Sequence, residues 1–499
     1  MVIRSLSQAV IFFFSCIFLL VVVLSTFLSG MFPLVSFGSF DGGRWLLVLF
    51  LSVSTVLSLV RLEFKRPSRS GLLFLVGVII FSCSALLSDY LSQSLSKYWF
   101  SNFILFFFSL LFVPFFFSSF PFEEREKVLY CAFYAILSGT LIFSALYLFV
   151  FSLSIGNDVN YNNILINSGF VNINFFGQVA TWVIPLLSAG MLDERISKST
   201  LAKVLVFFSL SLFWFVIVSV SVKGTLISVV LAFIFMAIYD WHWIRGCARW
   251  AALSLIVAVF VWCIVAGLSG HLGGSASRGL VKIDDLGRVM LWQEALVMSF
   301  QRFPFGMGGE SWVLHDVISQ NFYEPLRHGH PHNMYLLFAA EYGWMAVVGL
   351  CLVFFGIFKR VSDFKLRMHD TELKSNTFAA GLCLSVLGGL IHSGVSGVLL
   401  MPKSMALGLI CISMLWAVLG YAKAESVSSD RVNGGGQVLM RSIVVALCFL
   451  ISVFWIKDVA SYYKSMSVDK YLTLDSNVRY YPRFWQHGLS SGKVSSYQD

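Results

Sequence analysis

Residues 204–239 read VLVFFSLSLFWFVIVSVSV-KG-TLISVVLAFIFMAIY. Two apolar runs, Val204–Val222 and Thr225–Tyr239, are separated only by Lys223-Gly224, and neither contains a charged residue. A helix needs about 20 predominantly apolar residues to cross a bilayer core of about 30 Å. The pair therefore reads as two membrane spans joined by a tight turn, and the same pattern recurs along the chain. Of the 499 residues, 58% are hydrophobic and 12% charged, and the mean hydropathy is +0.81. A soluble domain is about half apolar and a quarter charged. The fold class is accordingly an all-α polytopic membrane protein.

Working outward, the periodicity predicts about thirteen transmembrane helices. They are Ala9–Leu28, Trp45–Val60, Gly71–Leu87, Tyr98–Phe120, Val128–Leu153, Phe175–Leu192, Val204–Val222, Thr225–Tyr239, Ala251–Leu268, Met334–Phe358, Phe378–Leu400, Ser404–Tyr421 and Ser442–Ile456. The first is too long for the core of a cleaved signal peptide and no small-residue cleavage site follows it, so it reads as a membrane helix. With the N-terminus cytoplasmic, Arg61, Lys65, Arg66 and Arg69 fall in one inner loop. Arg125/Lys127, Arg195/Lys198/Lys203, Arg245/Arg249, Lys359–Lys374 and Lys423/Arg431 fall in the others. The short outer loops hold only Arg44, Lys97, Lys223 and Lys403. This asymmetry is the positive-inside pattern. It accounts for the net charge of +9 without nucleic acid as a partner. The nine cysteines have neither zinc-ligand nor CxxC spacing and read as small apolar residues.

Three regions follow: a helical bundle over residues 1–458, an extracytoplasmic loop inserted at residues 269–333, and an extracytoplasmic aromatic and basic tail, residues 459–499. The linker Ala424–Gln437 is rich in serine and glycine. The tail reads as an interfacial segment or as an element that contacts an acceptor.

The long loop is the one polar interruption. Asp284 or Asp285 can cap a helix running to about Gln301, with Val289, Trp292, Leu296 and Phe300 on one face and Arg288 in its first turn. The helix dipole opposes a cation there, so an anionic ligand explains Arg288 better than a structural role does. Gly306, Gly308 and Gly309 make a turn that could cradle phosphate or only bend the chain. Ser311 can cap a short helix, Trp312–Gln320. His328, His330 and His332 alternate, so in extended backbone they would point one way. They could be solvated histidines, a metal site, or the source of a general base. His332 is the preferred base, because Asn333 and the following helix fix it, with His330 as competitor. No metal is assigned, since no acidic or thiol ligand stands at a suitable spacing. Three features share the outer face with the loop: Asn172 and Asn174 at the start of span six, Lys223 in the turn between spans seven and eight, and His392 near the outer end of span eleven. Asparagine at a span entrance can be only a cap. Ionisable groups at a membrane face are a functional hint.

From Asn172 to about Met401 the chain resembles the O-antigen ligase superfamily of integral-membrane glycosyltransferases, which includes the ligases, the Wzy-type polymerases and the pilin O-oligosaccharyltransferases. The resemblance rests on His332-Asn333, nine residues, then Gly343. It also rests on Gly287-Arg288 through Trp292 followed by Pro304–Gly308, and on Asn172/Asn174. Ala346 stands where the family has Gly, Thr or Tyr, and Val222-Lys223-Gly224 where it usually has Ser-Arg-Gly. Lysine keeps the charge but loses the bidentate fork.

The resemblance implies a GT-C-like, metal-independent, inverting glycosyltransferase in the bacterial inner membrane, with a cytoplasmic N-terminus and a periplasmic C-terminus and without a cofactor. The donor would be a glycan on undecaprenyl diphosphate, its tail among membrane lipids. The acceptor would be lipid A-core, in lipopolysaccharide biosynthesis. A second lipid-linked glycan or a protein are the alternatives. His332 and Arg288 would be catalytic. Lys223, Arg327, Asn172, Asn174, His330 and His392 would bind the donor. A lipid or glycan transporter is the reading from another class. It expects ionisable residues near the bilayer midplane and paired broken helices.

Overall fold

The computed structural model describes residues 2–28, 39–61, 68–92, 99–154, 161–170, 172–269, 286–319, 329–368, 376–420 and 435–472. Among these the chain is all helical. The helices are α1 (Val2–Leu28), α2 (Ser39–Arg61), α3 (Arg69–Ser92), α4 (Trp99–Phe115), α5 (Phe122–Leu153), α6 (Tyr161–Asn167), α7 (Ile173–Gly190), α8 (Glu194–Ser197), α9 (Thr200–Ser219), α10 (Lys223–Ser269), α11 (Leu286–Phe300), α12 (Ser311–Leu314), α13 (Met334–Tyr342), α14 (Trp344–Met368), α15 (Asn376–Ser393), α16 (Pro402–Val418) and α17 (Gly435–Leu472).

Nine of these helices are long and apolar enough to cross a membrane, against the thirteen expected. The difference has two causes. Three expected spans form shorter apolar helices, Trp99–Phe115, Thr377–Ser393 and Pro402–Val418. A 17-residue helix is only about 26 Å long. The third of them is buried at every position but Lys403, so protein surrounds it and its length need not match lipid. The expected spans Thr225–Tyr239 and Ala251–Leu268 run into one element, α10. Within it Asp240 leaves helical geometry (φ −164°, ψ 97°). Its carboxylate accepts the Trp243 N–H at 3.2 Å and pairs with Lys365 at 2.7 Å, so one side chain caps the second half and ties the bend to α14.

The expected span Met334–Phe358 is also divided. Gly343 (φ 86°) ends the nine-residue α13, and α14 begins at Trp344. At the far end of the chain, α17 continues past residue 458 to Leu472.

At the centre lies α7. From Phe176 to Gly190 every residue is buried, and the helix packs against α9, α10, α15 and α16. Helix α11 has the periodicity read from the sequence, but its orientation is the reverse of a soluble amphipathic helix. Val289, Leu296 and Phe300 face outward, whereas Leu291, Glu294, Ala295 and Met298 are buried. An outward apolar face suits a helix lying at a membrane surface.

Candidate active site

The first residues of α7, α10, α11 and α13 and the last of α15 converge at one end of the bundle. Each is held there by local chemistry. Asn172 caps α7, its side-chain oxygen accepting the Asn174 N–H at 2.8 Å. Asn333 caps α13, accepting the Leu336 N–H at 3.0 Å. Ahead of α10, Ser221 takes a left-handed backbone (φ 56°), which turns the chain so that Lys223 opens the helix half-buried.

His332 also has a left-handed backbone (φ 56°). Few non-glycine residues do, and such strain persists only where the surroundings enforce it. The extended run expected of His330 and His332 is therefore broken. Their rings meet edge to face, with centroids 4.5 Å apart. The His332 N–H donates to His330 Nδ1 at 3.0 Å. That lone pair is engaged, so the proton of a neutral His330 ring lies on Nε2.

His392 is buried, and its Nδ1 is 2.8 Å from Thr181 Oγ1, which is itself 2.9 Å from the Gly177 carbonyl. A carbonyl can only accept. The hydroxyl therefore donates to Gly177 and accepts from Nδ1–H, leaving His392 Nε2 as an acceptor. That nitrogen faces the start of α10, where a Cβ on Gly224 would lie 2.9 Å from it. Only glycine beside Lys223 leaves room for the ring. The Arg288 guanidinium is close enough to His392 to act on it electrostatically, so Arg288, Lys223 and His392 share one locality. From His392 the chain turns through Ser396 and Gly397, and His330 Nε2 lies 3.0 Å from where a Gly397 Cβ would be. A series of contacts thus joins the cations to His330 and His332.

The structure brings together Lys223, Arg288, His330, His332 and His392. Asn172 and Asn174 stand exposed at the start of α7, and the Asn172 oxygen is occupied by its cap. Arg327 and His328 lie outside the described residues. Among those described, no group of three or more His, Cys, Asp or Glu could hold a metal ion.

The glycine-rich turn does not cradle an anion. The Met307 and Gly308 N–H groups donate to the Ala340 and Glu341 carbonyls, both at 2.8 Å. Gly306 donates to Ser88 Oγ at 2.9 Å and Gly309 to Asp89 Oδ1 at 2.6 Å. Every N–H of the turn is spent on protein, and the turn sews the C-terminal end of α13 to α3. Nor does Ser311 cap a helix to Gln320. Helix α12 spans only Ser311–Leu314, and the Glu341 carboxylate accepts its Trp312 N–H at 3.2 Å.

Sequence reading passed over Gln178, Thr181, Ser396 and Gly397. A glutamine inside an apolar run was the available signal. Gln178 and Ser396, like Thr181 and His392, are more than two hundred positions apart, beyond any local pattern. Beneath α13 an apolar chamber is lined by Phe81, Phe106, Tyr335, Phe338, Phe354 and Leu390, among others.

Residues 207–351 match the family model of the O-antigen ligases (Wzy_C). The similarity covers this part of the chain, and the matched stretch contains Lys223, Arg288, His330 and His332. Asn172, Asn174 and His392 lie outside it. No curated protein matches the chain significantly.

Proposed function

We propose that this protein is an inverting glycosyltransferase. In this reading it moves a glycan from undecaprenyl diphosphate to an acceptor hydroxyl at the outer face of a bacterial inner membrane, and the acceptor is lipid A-core. The observation that carries the reading is the convergence of His332 with Arg288, Lys223 and His392, within and beside the stretch that matches the O-antigen ligase family model. The positive-inside pattern supports the outer face as the location of that site.

In the proposed reaction, Arg288 and Lys223 hold the donor diphosphate, and their charge offsets the charge that develops on the leaving group. His332 accepts the proton of the acceptor hydroxyl. The oxygen attacks the anomeric carbon as the bond from that carbon to the diphosphate oxygen breaks, and undecaprenyl diphosphate departs. Base function falls to His332 rather than His330, because the His330 Nδ1 lone pair already receives the His332 N–H. The donor's hydrocarbon tail would run into the apolar chamber under α13, whose lining includes Met334 and Tyr335, just beyond the base.

The test incubates detergent-purified protein with a polyprenyl-diphosphate-linked glycan and, separately, lipid A-core, a second lipid-linked glycan, or pilin. Glycosylated lipid A-core is expected. Product on the second or third acceptor alone makes the protein a polymerase or a protein O-glycosyltransferase, and transfer to none of them overturns the reading.

A further inference from the structure

Helix α7 carries two buried polar side chains three residues apart, each tied to a different part of the site. The Gln178 amide donates to Ser396 Oγ at 2.8 Å. Ser396 belongs to the turn between α15 and α16, and this turn supports the histidine segment in two places. The His330 ring rests against Gly397, and the Leu399 N–H donates to Met334 Sδ at 3.2 Å. Through His330 Nδ1 the support passes to His332. The second side chain, Thr181, holds His392, whose ring fills the space over Gly224 next to Lys223 and lies within the field of Arg288.

We infer that α7 sets the separation between the base and the diphosphate-binding cations, with Gln178 as the positioning residue for His330 and His332 and Thr181 as the positioning residue for His392 and the cations. Neither side chain reaches substrate. Gln178 is 1% exposed and Thr181 0%. Stability alone does not explain Gln178, because its buried side-chain oxygen meets no hydrogen-bond partner among the described residues, and a buried polar atom left unpaired is destabilising relative to an apolar side chain. His332 needs outside support, since its left-handed backbone is unfavourable by itself. The inference rests on the glycosyltransferase reading for its kinetic part only.

The test uses the full-length protein in detergent and reads histidine accessibility first. Diethyl pyrocarbonate acylates exposed imidazoles, and peptide mass spectrometry reports each site. Gln178→Leu and Ser396→Ala should speed modification of His330 and leave His392 at the wild-type rate. Thr181→Val should do the reverse. Ser396→Thr and Thr181→Ser, which keep the hydroxyls, should restore protection.

In the transfer assay, Gln178→Leu should lower kcat by up to ~100-fold, the scale of a displaced catalytic group, with donor KM nearly unchanged. Thr181→Val should raise donor KM about tenfold, the scale of one lost hydrogen bond. Unchanged accessibility in both variants, or a joint rise of both histidines in each, overturns the inference. The accessibility result stands whether or not glycan is transferred, so failure of the functional reading is separately visible.

Discussion

Residues 304–309 and residues 329–333 stand at opposite ends of α13, and both are built from the residue types that bend chains. At the first, the backbone is saturated. The N–H groups of residues 306–309 donate to α13 and α3, and Ser84 and Ser88 donate to the Tyr342 carbonyl at 2.6 and 3.0 Å. A Cβ on Gly306 would overlap the Glu341 carbonyl. At the second, the backbone is strained and the rings carry the interactions. His330 accepts a main-chain N–H, His332 stands in left-handed geometry, and the His330 ring rests against Gly397 in the turn after α15. One turn is a seam, and in the proposed reading the other is a site. What separates them is that the first is stitched by its main chain to α3 and α13, whereas the second holds a non-glycine residue in left-handed geometry, and residue type alone reveals neither.

The largest effect that could break this comparison is His332→Asn. It removes the proposed base while retaining a side chain that tolerates left-handed geometry. Transfer should fall by ~10²- to 10⁴-fold with the thermal unfolding midpoint unchanged. Equal losses of activity and stability would make the histidine turn a seam as well.

Gly306→Ala tests the other end. Its added methyl meets backbone rather than a movable side chain, so destabilisation of about 1–3 kcal/mol or more is expected. The readout is a lowered unfolding midpoint and poor membrane accumulation. The folded fraction should keep near-normal donor KM, because the turn does not hold phosphate.

His330→Asn sharpens the site itself. Its side-chain oxygen can replace Nδ1 as acceptor for the His332 N–H, so the kcat loss should stay below about tenfold. A loss as deep as that of His332→Asn would exchange their roles. The smallest effect belongs to Asn172→Ala, which removes a helix cap for about 1 kcal/mol and should lower the unfolding midpoint without changing the kcat to KM balance. A selective rise in donor KM would instead return Asn172 to the binding set.

Much of the architecture was legible because a bilayer imposes a length and a polarity on every span. The apolar runs became helices, and the cap was one of the readings open to Asn172 from its position at a span entrance. The span count was less legible. Whether a short apolar run such as Pro402–Val418 faces lipid depends on what packs around it, and the union of two runs across Asp240 depends on a carboxylate that caps one half while pairing with Lys365. The orientation of α11 was hidden for a related reason. Period 3.6 marks a face, but only the buried Glu294, accepting the Ile318 and Ser319 N–H groups at 2.8 and 2.9 Å, reveals that the apolar face points outward.

The sequence by itself determined that the chain is a helical membrane protein, that its ionisable residues concentrate in loops, and that Arg288, Lys223 and His332 are the groups whose presence needs a chemical reason. Those conclusions follow from local composition, because the transfer free energy of each residue into lipid is nearly independent of its distant neighbours. Only the tertiary structure decided which of two similar turns is saturated, that His330 has its lone pair engaged, and that Gln178 and Thr181 tie one helix to both halves of the site. Each of these depends on a donor finding an acceptor across the fold, and hydrogen bonds are decided by separations of a few ångströms that no spacing along the chain encodes.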